Sequence, residues 1–262
     1  MNVAFDLISD LHLDTWNEPF AWNDRATSPY CIVAGDIAED RTLLYDALTK
    51  LGQSYQAVFY IDGNDEHCRF YNSLSDSFKD LTKNIAKIPN VVYLQDNVIV
   101  IDNVAILGTN GWWGFDFELS VDPVQSAQWW YEKENLSSDI AKKVARMATN
   151  DAAYMINSVK KLQSHKDVKH IVMVTHTVPS QQLIAHDIDL EGSLRFNMMG
   201  NRDMIKALAM DHLKKVHTWC FGHYHGSVDQ VRQNIRFVNN CRGRKGSPWS
   251  NHVYHPRRIE IQ

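Results

Sequence analysis

The chain has no excess of basic charge. Its 262 residues hold 27 lysines and arginines against 31 aspartates and glutamates, a formal net charge of -4. That leaves no general electrostatic footprint for duplex nucleic acid and speaks against such a partner, although a local basic groove stays open. No apolar run approaches the roughly 20 residues that span a bilayer, so no membrane partner is expected. The start, Met1-Asn2-Val3-Ala4-Phe5-Asp6, lacks the basic opening and long apolar segment of a secretion signal. Cysteine is scarce. Cys31, Cys68, Cys220 and Cys241 are scattered, with no Cys-x-x-Cys. This suits reduced thiols in a cytoplasmic protein. Repeats, low-complexity segments and linkers are also missing, so residues 1–262 read as one domain. A hydrophobic content of 44% with 22% charged residues is ordinary for a globular chain and ample for one large core.

Histidine, by contrast, is plentiful at 12 residues. The runs Val3–Ile8, Tyr30–Ala34, Ala57–Ile61, Ile171–Val174 and Val216–Phe221 are short, apolar and rich in strand formers. Each stops at a polar or metal-capable residue: Asp10, Asp36, Asn64, His176 and His223 in turn. Strands buried on both faces read this way, and ligands gather beyond their ends. Helical spacing over 41–51 and 73–88 separates the early strands. Segments 91–94, 98–101 and 104–107 follow as strands, the last two as a hairpin. Residues 201–213 read as a helix, and 235–238 and 258–261 as closing strands. A βαβ opening followed by hairpins indicates layered α/β with mixed sheets.

Residues about 111–163 break the alternation. They carry Trp112-Trp113, Trp129-Trp130 and a long helical stretch. This reads as a helical insertion whose tryptophans either fill a core or cap the site.

Near the C-terminus stands Gly222-His223-Tyr224-His225. Residues two apart share a strand face, so His223 and His225 converge. Asp10-Leu11-His12 repeats that geometry at the other end of the chain. With Asp36, Asn64 and His176, these residues make a set of seven oxygen and imidazole donors. Such donors suit divalent Mn, Fe, Co, Ni or Zn. There are too many for one tetrahedral ion and enough for two ions sharing a bridge, a recurring device for phosphoryl hydrolysis.

The order Asp10-Leu11-His12, Gly35-Asp36, Gly63-Asn64, Thr175-His176, Gly222-His223-Tyr224-His225 resembles the calcineurin-like metallophosphoesterases. The likeness runs from residue 8 to about 243. Gly108-Thr109-Asn110-Gly111-Trp112, His176-Thr177-Val178-Pro179-Ser180 and Asn240-Cys241-Arg242-Gly243 also look like segments of small bacterial and phage members. The resemblance implies a four-layer α/β/β/α sandwich of two mixed sheets flanked by helices. It implies that Asp10, His12 and His225 hold one divalent ion and that Asn64, His176 and His223 hold the other. Asp36 would bridge both, beside a water or hydroxide that attacks phosphorus. The implied activity is phosphodiester or phosphomonoester hydrolysis on a small phosphorylated substrate, with nucleotides among the candidates.

The pattern departs from the family after the asparagine. The family continues with histidine, which contacts phosphate and protonates the leaving group; here Asp65 stands, followed by Glu66 and His67. A carboxylate beside two cations stays ionised and would repel substrate phosphate. Three readings follow. In the first, His67, two residues on, is the replacement acid. In the second, the scissile bond is the pyrophosphate bond of a nucleotide-like substrate and needs no acid. Or the chain is a catalytically weak protein that retains its metals. Arg41, Arg195, Arg202 and Arg242 are candidate phosphate contacts, Arg242 the foremost, and Trp112 would stack a base. His186, His212, His252 and His255 read as surface residues, and Tyr224 as packed on the far strand face.

Overall fold

The computed structural model describes residues 3–22, 24–185, 187, 189 and 192–261, so His186 lies outside the described residues. Strands β1 (Val3–Ile8), β2 (Tyr30–Ala34), β3 (Ala57–Ile61) and β4 (Val91–Tyr93) run parallel in a five-stranded sheet. The closing strand β11 (Arg257–Ile261) pairs antiparallel with β1 at its edge. The second sheet has six strands: β5 (Asn97–Ile101), β6 (Val104–Gly108), β7 (His170–Val174), β8 (Val216–Phe221), β9 (Asp229–Arg232) and β10 (Ile235–Asn239). Its order is β5-β6-β7-β8-β10-β9, parallel within and antiparallel at both edges.

Alternation along the strands explains how the layers stack. Phe5, Leu7, Ile32 and Ile61 of the first sheet meet Ile106, Val172, Val174 and Val238 of the second in one apolar layer. Their neighbours Cys31, Val33, Val58 and Tyr60 point the other way, onto helices α1 (Arg41–Ser54) and α2 (Leu74–Ile85). Asp40 starts α1 by accepting from Thr42 N (2.8 Å) and Leu43 N (3.2 Å). Helix α3 (Pro123–Lys133) begins likewise on Asp122, with proline in its first turn. Behind the second sheet, α4 (Ser138–Gln163) lays Ala152, Met155 and Val159 against Ile171 and Met173. The result is the expected α/β/β/α sandwich.

Several elements differ from expectation. Of the stretch 111–163, α4 is the crossover that joins the parallel neighbours β6 and β7. That leaves α3 and the irregular residues before it outside the alternation. Together with the start of α4 they enclose a separate aromatic cluster of Trp112, Trp113, Phe115 and Trp130. The helix expected over 201–213 is a 3-10 turn at Met204–Met210, and α2 is preceded by another at Asp65–Ser73. Strand β9 was not anticipated, because Asp-Gln-Val-Arg carries no apolar alternation. All four cysteines are unbridged. Among the described residues no helix is long and apolar enough to cross a membrane.

Candidate metal centre

The loops after β1, β2, β3, β7 and β8 meet at one edge of the sandwich. Backbone hydrogen bonds tie them together: Asp10 N donates to Gly35 O (2.9 Å), His12 N to Asp36 O (3.1 Å) and Gly222 N to His176 O (2.8 Å). The approach is close enough to require glycine. A Cβ at Gly222 would lie 2.6 Å from Asp10 Oδ2, and one at Gly63 would collide with the Asp36 carboxylate. The backbone also bends sharply where it carries the donors. Asp10, His12, Asp36 and His223 all have left-handed φ angles, of 50°, 43°, 53° and 63°. Non-glycine residues adopt this region at a cost, and such residues recur at functional sites.

The bends bring the seven expected donors together. Asp10, His12 and His225 form one group, and Asp36, His176 and His223 another, the ligand atoms within each lying within 4.8 Å of one another. In the first, His225 Nε2 is 3.5 Å from Asp10 Oδ1 and 2.9 Å from His12 Nε2. In the second, His176 Nε2 is 3.4 Å from Asp36 Oδ1 and 3.1 Å from Asn64 Oδ1. Asp36 stands between them, its Oδ2 3.9 Å from His12 Nε2.

The hydrogen bonds behind the imidazoles test whether these atoms suit a cation. His176 Nδ1 lies 2.9 Å from Ala34 O, and His223 Nε2 lies 3.1 Å from Met198 O. His12 Nδ1 lies 2.9 Å from Asp65 Oδ2. Each partner is an acceptor, so each of these nitrogens carries the ring proton. In a neutral ring the opposite nitrogen turns a lone pair inward: that of His176 faces Asp36 and Asn64, and that of His12 faces His225. Facing acceptors with no proton between them repel, and a divalent ion is the natural resolution. A proton is the alternative to an ion, and on His176 the titration preference favours one. Burial opposes charge on His176, but Asp36 beside it raises its pKa to about 10. Burial and His176 together push His223 well below its ordinary value. Burial would raise Asp10, yet its bond to His225 and the surrounding imidazoles hold it low. The cluster thus draws positive charge into its centre.

Asp65 lies beside the donors, its carboxylate within 4.8 Å of ligand atoms of both His12 and Asp36. It accepts from His12 and from the guanidinium of Arg244, and Asn64 Nδ2 donates to its other oxygen at 2.9 Å. Burial would raise its pKa, but the His12 bond and the charges of His12 and Arg244 lower it. Arg244 thus offsets its charge, which would lessen the expected repulsion of phosphate. Asp65 would orient His12 if that imidazole held an ion. Replacing it with alanine should weaken metal affinity by about 10–100-fold, as for other groups that orient a ligating imidazole. Calorimetric titration of the metal-free protein would measure this; an affinity equal to wild type would remove the orienting role.

Three other expected contacts lie elsewhere. His67 is fully buried, with Nε2 2.7 Å from Asp62 Oδ2 and Nδ1 2.8 Å from Ser77 Oγ. Both nitrogens are engaged and its ring packs on Phe78, so it does not reach the donors. Arg242 lies over the Trp16 ring at 3.8 Å, pairs with Glu18 and lines a different cavity. Trp112 is wholly buried beneath Trp113. It is Trp113 that stacks on the His223 ring, at 5.6 Å and 19°.

Sequence reasoning missed several residues. Glu66 accepts from Gly63 N (2.7 Å), Ile37 N (2.7 Å) and Asp36 N (3.1 Å), tying the β2 and β3 loops together. The family's Gly-Asn-His-Glu pattern was the available signal for it. Cys241 Sγ lies 2.9 Å from Asp10 Oδ2. Arg244 and Tyr71 line the cavity over the donors, with no sequence signal of their own. That cavity measures about 340 Å³, and the α3 side chains Trp129, Trp130 and Lys133 form one wall.

No protein-family model matches the chain. In sequence it is similar to an uncharacterised protein of Acanthamoeba polyphaga mimivirus, 20% identical over 258 residues, covering 90% of this chain and 89% of that protein. In structure it is similar to the phosphopantetheinyl hydrolase PptH from Mycobacterium tuberculosis. The TM-score is 0.73 at 18% identity, covering 98% of this chain and 96% of that one. A looser match is a putative 5'-nucleotidase from Staphylococcus aureus, with a TM-score of 0.49 and 13% identity, covering 93% of this chain and 49% of that chain. The likeness to PptH runs the length of both chains and shows a shared fold.

Proposed function

We propose that this chain, which has the calcineurin-like metallophosphoesterase fold, is a metal-dependent phosphoester hydrolase that works with two divalent ions. The observation that carries the reading is the set of carboxylate, amide and imidazole donors that face one another on both sides of Asp36. Asp10, His12 and His225 would hold one ion, Asn64, His176 and His223 the other, and Asp36 would touch both. Ions so placed supply an activated water and neutralise phosphoryl oxygens.

The chain's own residues do the rest. Asp65, Ala34 and Met198 fix the imidazole orientations through their acceptor oxygens. Arg195 and Arg244 add positive charge at the cavity wall, and Arg195 has no hydrogen-bond or ion-pair partner among the described residues. A free guanidinium beside two phosphate-binding ions suits an anionic substrate. Trp113, Trp130, Met198 and Met199 give the same cavity an apolar side on which an organic group can rest. Nucleotides fit that description. PptH is a phosphopantetheinyl hydrolase, so a phosphopantetheinyl ester joins them as a substrate class to test. A second reading, cleavage of a pyrophosphate bond, is favoured by Asp65 standing ionised where a protonating histidine was expected.

The test is metal-loaded protein, with Mn, Co, Ni or Zn, assayed on bis(p-nitrophenyl) phosphate, p-nitrophenyl phosphate and a nucleoside diphosphate. Turnover of an ester that follows metal content is the expected result. Two bound ions without turnover of any substrate would favour a binding protein that retains its metals.

A further inference from the structure

A hydrolase of alkyl phosphoesters needs a proton for the departing oxygen, since an alkoxide is a poor leaving group. Neither His67, the expected acid, nor Asp65, which stands where the family has its histidine, supplies one. Asp65 is ionised between His12 and Arg244, and His67 is sealed away from the cavity. Glu39, also at the cavity, is paired with Arg244 and Arg69.

Tyr71 is placed differently. It leaves the 3-10 turn that follows Asn64 and lines the same cavity as His12, Asp36, Asn64 and Asp65. Its ring is wedged edge-on between Trp112, at 6.5 Å, and Trp130, at 5.3 Å. Only 5% of the residue is exposed. Among the described residues its hydroxyl has no hydrogen-bond partner, and it is not among the side-chain atoms shut off from solvent. A nearly buried phenol that is held by aromatic packing and keeps its donor free toward a cavity is uncommon, because buried hydroxyls ordinarily find partners. Burial, followed by the nearby charge of Asp65, also pushes its pKa well above the ordinary phenol value. It therefore holds its proton at neutral pH.

The geometry points to Tyr71 as the proton donor to the leaving oxygen. This rests on the phosphoester reading above. As the bond from phosphorus to the leaving oxygen breaks, that oxygen takes the phenolic proton and departs as an alcohol. Water supplies the new oxygen on phosphorus and releases one proton, and the phenolate recovers one from solvent. The sum is one ester and one water giving one alcohol and one phosphate. Tyr71 thus fills the role that the fold's usual histidine would have filled.

Tyr71→Phe keeps the ring and its packing, and loses only the donor. On a series of phosphodiesters from nitrophenyl to simple alkyl, its kcat should fall by about 10²–10⁴ for alkyl leaving groups and by less than about threefold for nitrophenyl. Metal content should equal that of wild type. An equal fall across the series, or no fall for the alkyl esters, overturns the role of Tyr71 and leaves the hydrolase reading standing. If metal-loaded wild type cleaves none of the series, the hydrolase reading fails and Tyr71's role fails with it.

Discussion

Asp36→Ala should abolish turnover, lowering kcat/KM by at least about a thousandfold, and should leave fewer than two ions on the protein. The carboxylate stands between the two groups, with Oδ1 3.4 Å from His176 Nε2 and Oδ2 3.9 Å from His12 Nε2. Its removal takes one ligand from each candidate ion. It also leaves Asp65 N, which donates to Asp36 Oδ1 at 2.9 Å, without its acceptor. The loss is therefore larger than that expected for any residue serving one ion. Steady-state rates on a nitrophenyl diester, with metal counted by mass spectrometry, make the measurement. Two ions still bound and turnover within tenfold of wild type would show that Asp36 is not the link.

The second large effect is on stability. Trp112→Ala should cost about 3–5 kcal/mol, the range for emptying a large buried aromatic site. Trp112 is fully buried, with Trp113 at 5.2 Å, His67 at 5.6 Å and Tyr71 at 6.5 Å between ring centroids. Its neighbours are thus the tryptophan that covers His223 and the phenol proposed as donor. Urea unfolding would show the loss as a lower midpoint. Activity should fall by one factor for nucleotide and aliphatic substrates alike, because the ring meets no substrate. A full-stability variant that lost only its nucleotide activity would reinstate the base-stacking role expected from sequence.

The contrast between these two residues shows what the sequence could convey. Asp36 was legible because the end of a buried strand is marked by a local change from apolar to polar residues. The same holds for Asp10, Asn64, His176, His223 and His225. The paired sheets followed from strands with no polar face. Trp112 and Trp113 were not separable, since they lie in an irregular segment where no period tells which ring turns inward. Arg242 and Arg244 pose the same difficulty. Between them Gly243 takes a φ of 78°, and the chain turns so that the later arginine meets Asp65. His67 was misplaced because the 3-10 turn after Asn64 directs it inward, toward Asp62 and Ser77. Long-range packing sets such directions, and adjacent residues give no sign of them.

The left-handed backbone at Asp10, His12, Asp36 and His223 bears on how such a chain would change over generations. Each bend costs roughly 1–2 kcal/mol relative to a relaxed residue. While the site is under selection that cost persists, because only these side chains at these angles converge. A descendant released from its chemistry would gain stability from any change at 12 or 223 to glycine or asparagine, which accept the bend more readily. Loss of activity would then leave a more stable protein with its strands intact. Inactive descendants of this lineage should be recognisable by glycine or asparagine at these bends, long before the sandwich itself erodes.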